Sequence, residues 1–423
     1  MARHGLRLRS AHTESGGRAW IVEPPGTPSI RIWGLTLEER ACRALRLAGL
    51  EPQRAVDDAG SAQPGAGEAA LAIRSDYVID ERLLPALRDR PDTLLVDGPL
   101  DPREGVLPIA VHARGPALDA ALRGLRTGRL DASDPELRAL RIATPGELVP
   151  SYDAALRKDA APLVLPVIAG REREIEARLF DASYKGITDL VTQWVWPLPA
   201  RVVTRRLAEL RVRPNTVTAI SWVAVAAATI LFARGAYAGG LAFAWAMTFL
   251  DTVDGKLARV TLQSSRFGHV LDHGLDLLHP PFWYLAWGLG LGGAPFAEVA
   301  IWACVVGYVV GRAIEGLFLL AFGFEIHCWK PVDARMRRVT ARRNPNLILL
   351  TLGVVGGRPD LGLWAVAIWT AISIAFHCVR WVQALARRQG GQPIEPCAAR
   401  PRGGPASSVA DAGNGAPRRE RSR

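Results

Sequence analysis

Between residues 216 and 385 the chain carries six apolar segments, at about 216–234, 238–252, 270–291, 296–322, 345–357 and 361–385. Each is near the ~20 residues that a bilayer core demands once tilt is allowed for. A backbone in lipid must satisfy its own hydrogen bonds, so these segments confine that half of the chain to packed helices. The second and fifth are short. The second can continue through polar turns to Leu262, because a helix end lining a protected cavity is tolerated at membrane depth. Upstream, strand and helix patterns alternate. The expected fold class is an N-terminal soluble α/β domain followed by an all-α bundle of six transmembrane helices.

Residues 1–28 read as a flexible N-terminal lead without an apolar core, which excludes a secretory signal peptide and leaves insertion to the internal spans. A soluble domain is expected over 29–180. IRIW, EAALAIRSDYVI, TLLVD and VLPIAVHA read as strands, and LTLEERACRALRLAGL, GPALDAALRGL and REREIEARLFDASY as helices. Thr36 stands as an N-cap with Glu39 three residues on and Gly49 at the far end. Residues 184–215 alternate tryptophans with arginines, as an amphipathic segment at a membrane interface does; a core helix is the other reading. The spans follow over 216–387, and 388–423 is a Gly/Pro/Ala/Arg-rich basic tail expected to be disordered.

The formal charge is +11, almost all of the basic residues being arginine. Such charge suits an anionic membrane face or phosphorylated substrates, and the apolar half turns the reading away from nucleic acid. Five cysteines are scattered without a C-x-x-C pair, so neither a disulfide framework nor a cysteine zinc site is indicated. The loop Glu325–Asn346 and the tail are strongly basic, whereas GAYAGG, GGAPFAE and GGRPDLG carry little positive charge. The positive-inside rule places both termini and the loop after the second span in the cytoplasm, on a multi-pass inner-membrane protein.

That loop holds the chemistry. Its pattern is Asp251-x2-Asp254-Gly255-x2-Ala258-Arg259-x8-Gly268-x3-Asp272-x3-Asp276. Asp251 and Asp254 are three apart and Asp272 and Asp276 four apart, so on helices each pair shares a face. Carboxylates at a membrane boundary need strong partners, and one or two divalent cations are the simplest. Oxygen-only ligands suit Mg²⁺, Mn²⁺ or Ca²⁺ rather than zinc or copper. Gly255 leaves room for a ligand against the backbone, and Gly268 allows a turn. The pattern points to metal-dependent phosphoryl transfer at a membrane surface.

The string DTVDGKLARVTLQSSRFGHVLDHGLD resembles the signature of the CDP-alcohol phosphatidyltransferases at all eight fixed positions. The resemblance extends over roughly Tyr184 to Leu385 and includes RPNTVTAIS (Arg213–Ser221), similar to the Pro-Asn-x-x-Thr that opens the family's first span. It implies transfer of a phospho-alcohol from a CDP-linked donor, CDP-diacylglycerol or a soluble CDP-polyol, to an acceptor hydroxyl with release of CMP. It implies metal ligation by Asp251, Asp254 and Asp272, with Asp276 as general base and a further metal contact. Two ions, Mg²⁺ or Mn²⁺, are implied, with the CDP moiety packed on Gly255, Ala258 and Gly268 and with Arg259 either pairing with its phosphate or orienting an aspartate. The same resemblance implies a homodimer. The soluble half resembles the nucleotidyltransferase-like domains fused to some family members, but its first strand lacks their Gly-rich, Arg-containing loop.

Arg312 and Glu315 lie within the fourth span, either functional or paired with each other. Arg342 and Arg343 could meet a phosphate on the acceptor, while Arg335, Arg337 and Arg338 are expected at lipid headgroups. His269 and His273 have zinc-compatible spacing, with His279 beyond them. Trp283, Tyr284 and Trp287 fit span packing or an interface belt, and Pro280-Pro281 a kink. Two alternatives remain open: a bifunctional enzyme whose soluble half also makes the CDP-alcohol, and a membrane transporter or scaffold without catalysis.

Overall fold

The computed structural model describes residues 17–54, 69–98, 107–130, 134–263 and 266–397, without the side chains of 266–273, 275 and 276. The helices, in chain order, are α1 (Leu37–Leu47), α2 (Leu83–Arg88), α3 (Gly115–Thr127), α4 (Pro145–Leu148), α5 (Glu172–Ala182), α6 (Pro197–Glu209), α7 (Pro214–Ala233), α8 (Tyr237–Val260), α9 (Arg266–Gly290), α10 (Ala297–Phe322), α11 (Pro331–Arg337), α12 (Arg343–Val355) and α13 (Pro359–Gln389).

The N-terminal region is built on a six-stranded mixed sheet, in spatial order 51–54, 18–22, 70–74, 107–113, 93–97, 141–143. Arg18–Val22 runs parallel to both of its neighbours, pairing Ala19 with Pro52 and with Leu71. This corrects the expected lead: RAWIV is an inner strand, and residues 1–16 lie outside the described residues. Alternate residues of these strands enter two different cores. Ala19, Ile21, Leu71 and Ile73 pack with Leu45 of α1 and Leu84 of α2. Trp20, Val22, Ala70 and Ala72 pack with Leu118 and Leu125 of α3. A sheet buried on both faces reads as a continuous apolar run rather than an alternating one, which is why ALAIR and RAWIV look as they do. Thr36 caps α1 as expected, its hydroxyl accepting from the Glu39 amide at 3.1 Å while Glu39 returns a bond to the Thr36 amide.

The C-terminal region is helical. Helices α7 to α10, α12 and α13 follow the six apolar segments, and α8 runs on to Val260 as expected of a helix carrying a polar end. Among the described residues, three of them, α7, α10 and α13, are long and apolar enough to cross a membrane. Much of α10 faces outward, with Trp302, Val306 and Leu320 exposed. Inside, Trp283, Tyr284 and Trp287 of α9 are buried against Phe232 of α7 and Met247 of α8, so they pack the bundle. Helices α12 and α13 come close at Gly353 and Gly362; a Cβ on Gly353 would lie 2.6 Å from the Gly362 Cα.

The two regions share one core. Ile32, Trp33, Leu37 and Phe180 of the N-terminal region pack with Ala208 of α6, Val217 of α7, and Val253, Leu257 and Val260 of α8. Gly34 makes this seam tight: its φ is +73°, and a Cβ there would fall 2.4 Å from the Ala208 carbonyl oxygen. Arginines of α1 then finish α8. Arg40, buried, donates to the Val260 carbonyl at 2.9 Å, and Arg43 donates to that of Thr261 at 2.7 Å. The last carbonyls of a helix lack partners within it and carry partial negative charge, so two guanidiniums are apt caps. Burial pushes Arg40 down to about 10, opposed by Glu81 nearby. The amphipathic segment lies alongside, with Trp194, Val195, Leu198 and Val202 exposed.

Candidate active site

Helix α8 carries Asp251 and Asp254 within the bundle wall. Asp254 is 5% exposed, and the Thr218 hydroxyl of α7 donates to its Oδ2 at 2.6 Å. Thr218 is the threonine of the Pro-Asn-x-x-Thr run, so the two sequence motifs meet in one hydrogen bond. Asp251 accepts from Arg343 Nη2 at 2.5 Å, at the start of α12. That start is pinned from outside the bundle. Asn344 donates to Asp189 at 2.9 Å, and Asp189 also accepts from the Val191 and Thr192 amides and the Thr192 hydroxyl. Burial pushes the Asp189 carboxyl up, but Arg337 nearby and these hydrogen bonds outweigh it and hold it below the ordinary carboxylate range. Asp189 and Asn344 are absent from the sequence expectations, since neither belongs to the motif nor shows its partner by spacing.

The remaining motif residues divide. A Cβ on Gly255 would meet Arg259 Nη1 at 3.6 Å, an ordinary van der Waals contact. Ala258 is half-buried beside it. Arg259 Nη1 donates to the Ser183 carbonyl at 3.4 Å, which ties it to the segment entering the bundle. Lys256, unnamed by the motif, is buried on the same turn, donates to Ser183 O at 3.0 Å and sits 3.1 Å from the centre of the Tyr184 ring. Asp272 and Asp276 lie four apart on α9, which packs with α8 against α7; their side chains, with Gly268, are outside the described residues.

The donor chemistry fits a hard divalent cation. Asp251 and Asp254 offer carboxylate oxygens, and the Arg343 guanidinium on Asp251 supplies positive charge where an ion would otherwise supply it. Arg342, expected beside Arg343 at an acceptor phosphate, turns elsewhere. It donates to Glu315, which also receives Arg312 Nη2 at 2.7 Å and lies 3.2 Å from His327 Nε2. Glu315, His327 and His377 bring ligand atoms within 4.8 Å of one another. Two guanidiniums, Arg312 and Arg342, face that one carboxylate, and His377 Nε2 is buried without a hydrogen-bond partner among the described residues. Of the expected histidines, His279 packs edge-on to Trp283, and the side chains of His269 and His273 are outside the described residues. Arg337 corrects a second expectation: it is buried rather than at headgroups, and burial, reinforced by Arg342, pushes it down to about 9.

Residues 211–327 match the family model of the CDP-alcohol phosphatidyltransferases. That stretch, within the helical region, is a CDP-alcohol phosphatidyltransferase domain. The chain is accordingly a transferase of this type. An archaetidylinositol phosphate synthase of Pyrococcus horikoshii is 25% identical over 181 residues, covering 41% of this chain and 86% of that protein. Among solved structures, a phosphatidylinositol phosphate synthase of Mycobacterium tuberculosis with CDP-DAG bound is 21% identical, with a TM-score of 0.35 over 43% of this chain and 92% of that one. The same enzyme with manganese and citrate has equal identity and TM-score, covering 43% and 88%.

Proposed function

We propose that this phosphatidyltransferase moves a phospho-alcohol from a CDP-linked donor to an acceptor hydroxyl in phospholipid-type biosynthesis, at the cytoplasmic face of a six-span bundle. The observation that carries this is the complete motif seated on α8 and α9, with its two described aspartates held by Thr218 and Arg343. Asp251, Asp254 and Asp272 would hold Mg²⁺ or Mn²⁺, with Asp276 beside them. The ions, when bound, neutralise the donor diphosphate and ease the departure of CMP. The acceptor oxygen bonds to the phosphorus that carries the alcohol. The bond from that phosphorus to the CMP oxygen breaks, and Asp276 accepts the acceptor's proton. Gly255 and Ala258 leave space for the cytidine part. Arg343 is placed to exchange Asp251 for a phosphate on the acceptor. The Pyrococcus relative is by name an archaetidylinositol phosphate synthase, which favours a phosphorylated cyclitol as acceptor. The N-terminal region serves as a clamp on α8, through Arg40 and Arg43, rather than as a second enzyme. A homodimer through the exposed span faces completes the assembly.

The test is CMP release by the purified protein, with CDP-diacylglycerol and CDP-polyols as donors, polyol phosphates as acceptors, and Mg²⁺ or Mn²⁺. Metal-dependent release abolished by Asp276→Asn supports the reading. Silence across the panel, with that variant no different, refutes it. Pyrophosphate release from CTP and a polyol phosphate would instead restore the bifunctional alternative.

A further inference from the structure

A cavity of about 540 Å³ opens where α1, the α6–α7 turn and the end of α8 meet. Four of its lining residues are arginines, Arg43, Arg46, Arg211 and Arg213, and among the described residues no carboxylate lines it. Glu39 lies close by and pairs with Arg211 at 3.2 Å. Arg43 spends one N–H on the Thr261 carbonyl, a neutral partner that leaves its charge in place. Arg46 and Arg213 make no ion pair among the described residues. A lining with four guanidiniums and, among the described residues, no carboxylate carries an excess of positive charge around a space large enough for a small molecule. The other walls are Leu35, Leu47, Val212 and Leu262, with Gln263 at the rim, so an occupant meets cations on one side and apolar surface on the other.

We propose that this cavity is a binding site for a phosphate ester, separate from Asp251 and Asp254, neither of which lines it. Guanidiniums present planar pairs of N–H donors that match phosphate oxygens, and several converging on one space suit a phosphate better than a carboxylate or an inorganic halide. The site has consequences for the bundle. Thr261, Leu262 and Gln263 form one wall, and they are the residues between α8 and the loop leading to α9. Arg43 touches both the cavity and the carbonyl that ends α8. A bound phosphate therefore draws on the same guanidinium that fixes the motif helix. Two sources offer this chemistry: an anionic lipid headgroup, reached past the exposed face of α6, and a free phosphate ester from solution.

Arginine-selective dicarbonyl labelling of the full chain, mapped by peptide mass spectrometry, tests this. The chelated protein is labelled in detergent with and without inorganic phosphate, and in nanodiscs of phosphatidylcholine with and without phosphatidylglycerol. At ten times its Kd a ligand should slow labelling of Arg46 and Arg213 by about tenfold, since the open fraction is 1/(1 + [L]/Kd). Protection by phosphate alone assigns a soluble ester, protection by phosphatidylglycerol alone assigns a headgroup, and either supports the site. The folded double variant Arg46→Gln/Arg213→Gln should lose the protection of Arg211. Equal labelling in all four conditions overturns the proposal, as does protection shared equally by the distant, exposed Arg171.

Discussion

If Asp251 holds a divalent cation as proposed, Arg343 must compete with it, and that competition has a size. The ion pair is 2.5 Å long, between side chains 19% and 14% exposed. A charge-assisted hydrogen bond of this kind contributes about 1.5–3 kcal/mol. In the metal-free protein, Arg343→Gln leaves Asp251 short of positive charge and should lower stability by that order. The same loss becomes a gain for the ion, which no longer has to displace a guanidinium. At 1.4 kcal/mol per tenfold, Mn²⁺ affinity should rise by about 10- to 100-fold. Arg343→Lys keeps the charge without the planar fork and should fall between. Counting free Mn²⁺ by electron paramagnetic resonance, in detergent and without nucleotide, reads this directly. CMP release by Arg343→Gln should nonetheless fall, because the acceptor phosphate loses its partner. Equal or weaker Mn²⁺ binding in Arg343→Gln would refute the competition and with it the placement of the cation at Asp251.

Other expectations follow from single contacts. Thr218→Val removes the donor to Asp254 and should cost about 10- to 100-fold in metal affinity or CMP release, as loss of a ligand's outer partner does, while Thr218→Ser retains both. Arg40→Met uncaps α8 and should lower stability by about 1.5–3 kcal/mol in a thermal or denaturant melt, with CMP release falling too if the clamp positions the motif. Asp189 titrates lower in the folded protein than unfolded; its contribution is complete above its unfolded pKa and is lost as pH falls through the folded one. Wild type should therefore lose stability more steeply below about pH 4 than Asp189→Asn. Gly34→Ala sets a Cβ against the Ala208 carbonyl at positive φ and should loosen the seam by about 1–3 kcal/mol, read as faster proteolysis between the two regions.

The candidate site could be proposed from the sequence because its motif is local. Asp251, Asp254, Gly255, Ala258 and Arg259 share about two turns of one helix, and helical spacing alone puts the carboxylates together. Thr218 came with its own motif. Arg343 was named for the right region, but its partner Asp251 lies 92 residues away, and nothing in spacing separates it from Arg342, which points into the Glu315 network instead. Asp189 and Asn344 meet across 155 residues for the same reason. In the fold, period and length gave the helices, and the Thr36 capping box gave the start of α1. RAWIV was missed because a strand buried on both faces lacks alternation, and it follows a polar stretch that reads as a lead. The clamp of Arg40 and Arg43 on α8 was invisible. An arginine on an amphipathic helix ordinarily faces water, and only the docking of two regions buries it against carbonyls.

The central claim is that the aspartates of α8 and α9 together hold the divalent cation that meets a CDP-linked diphosphate. Mn²⁺ titration of the purified protein in the presence of a CDP-alcohol tests it most directly. The account expects saturable Mn²⁺ binding that tightens with the nucleotide and disappears in Asp254→Asn and Asp272→Asn alike. Binding unchanged in either variant, or none in wild type with nucleotide present, contradicts it.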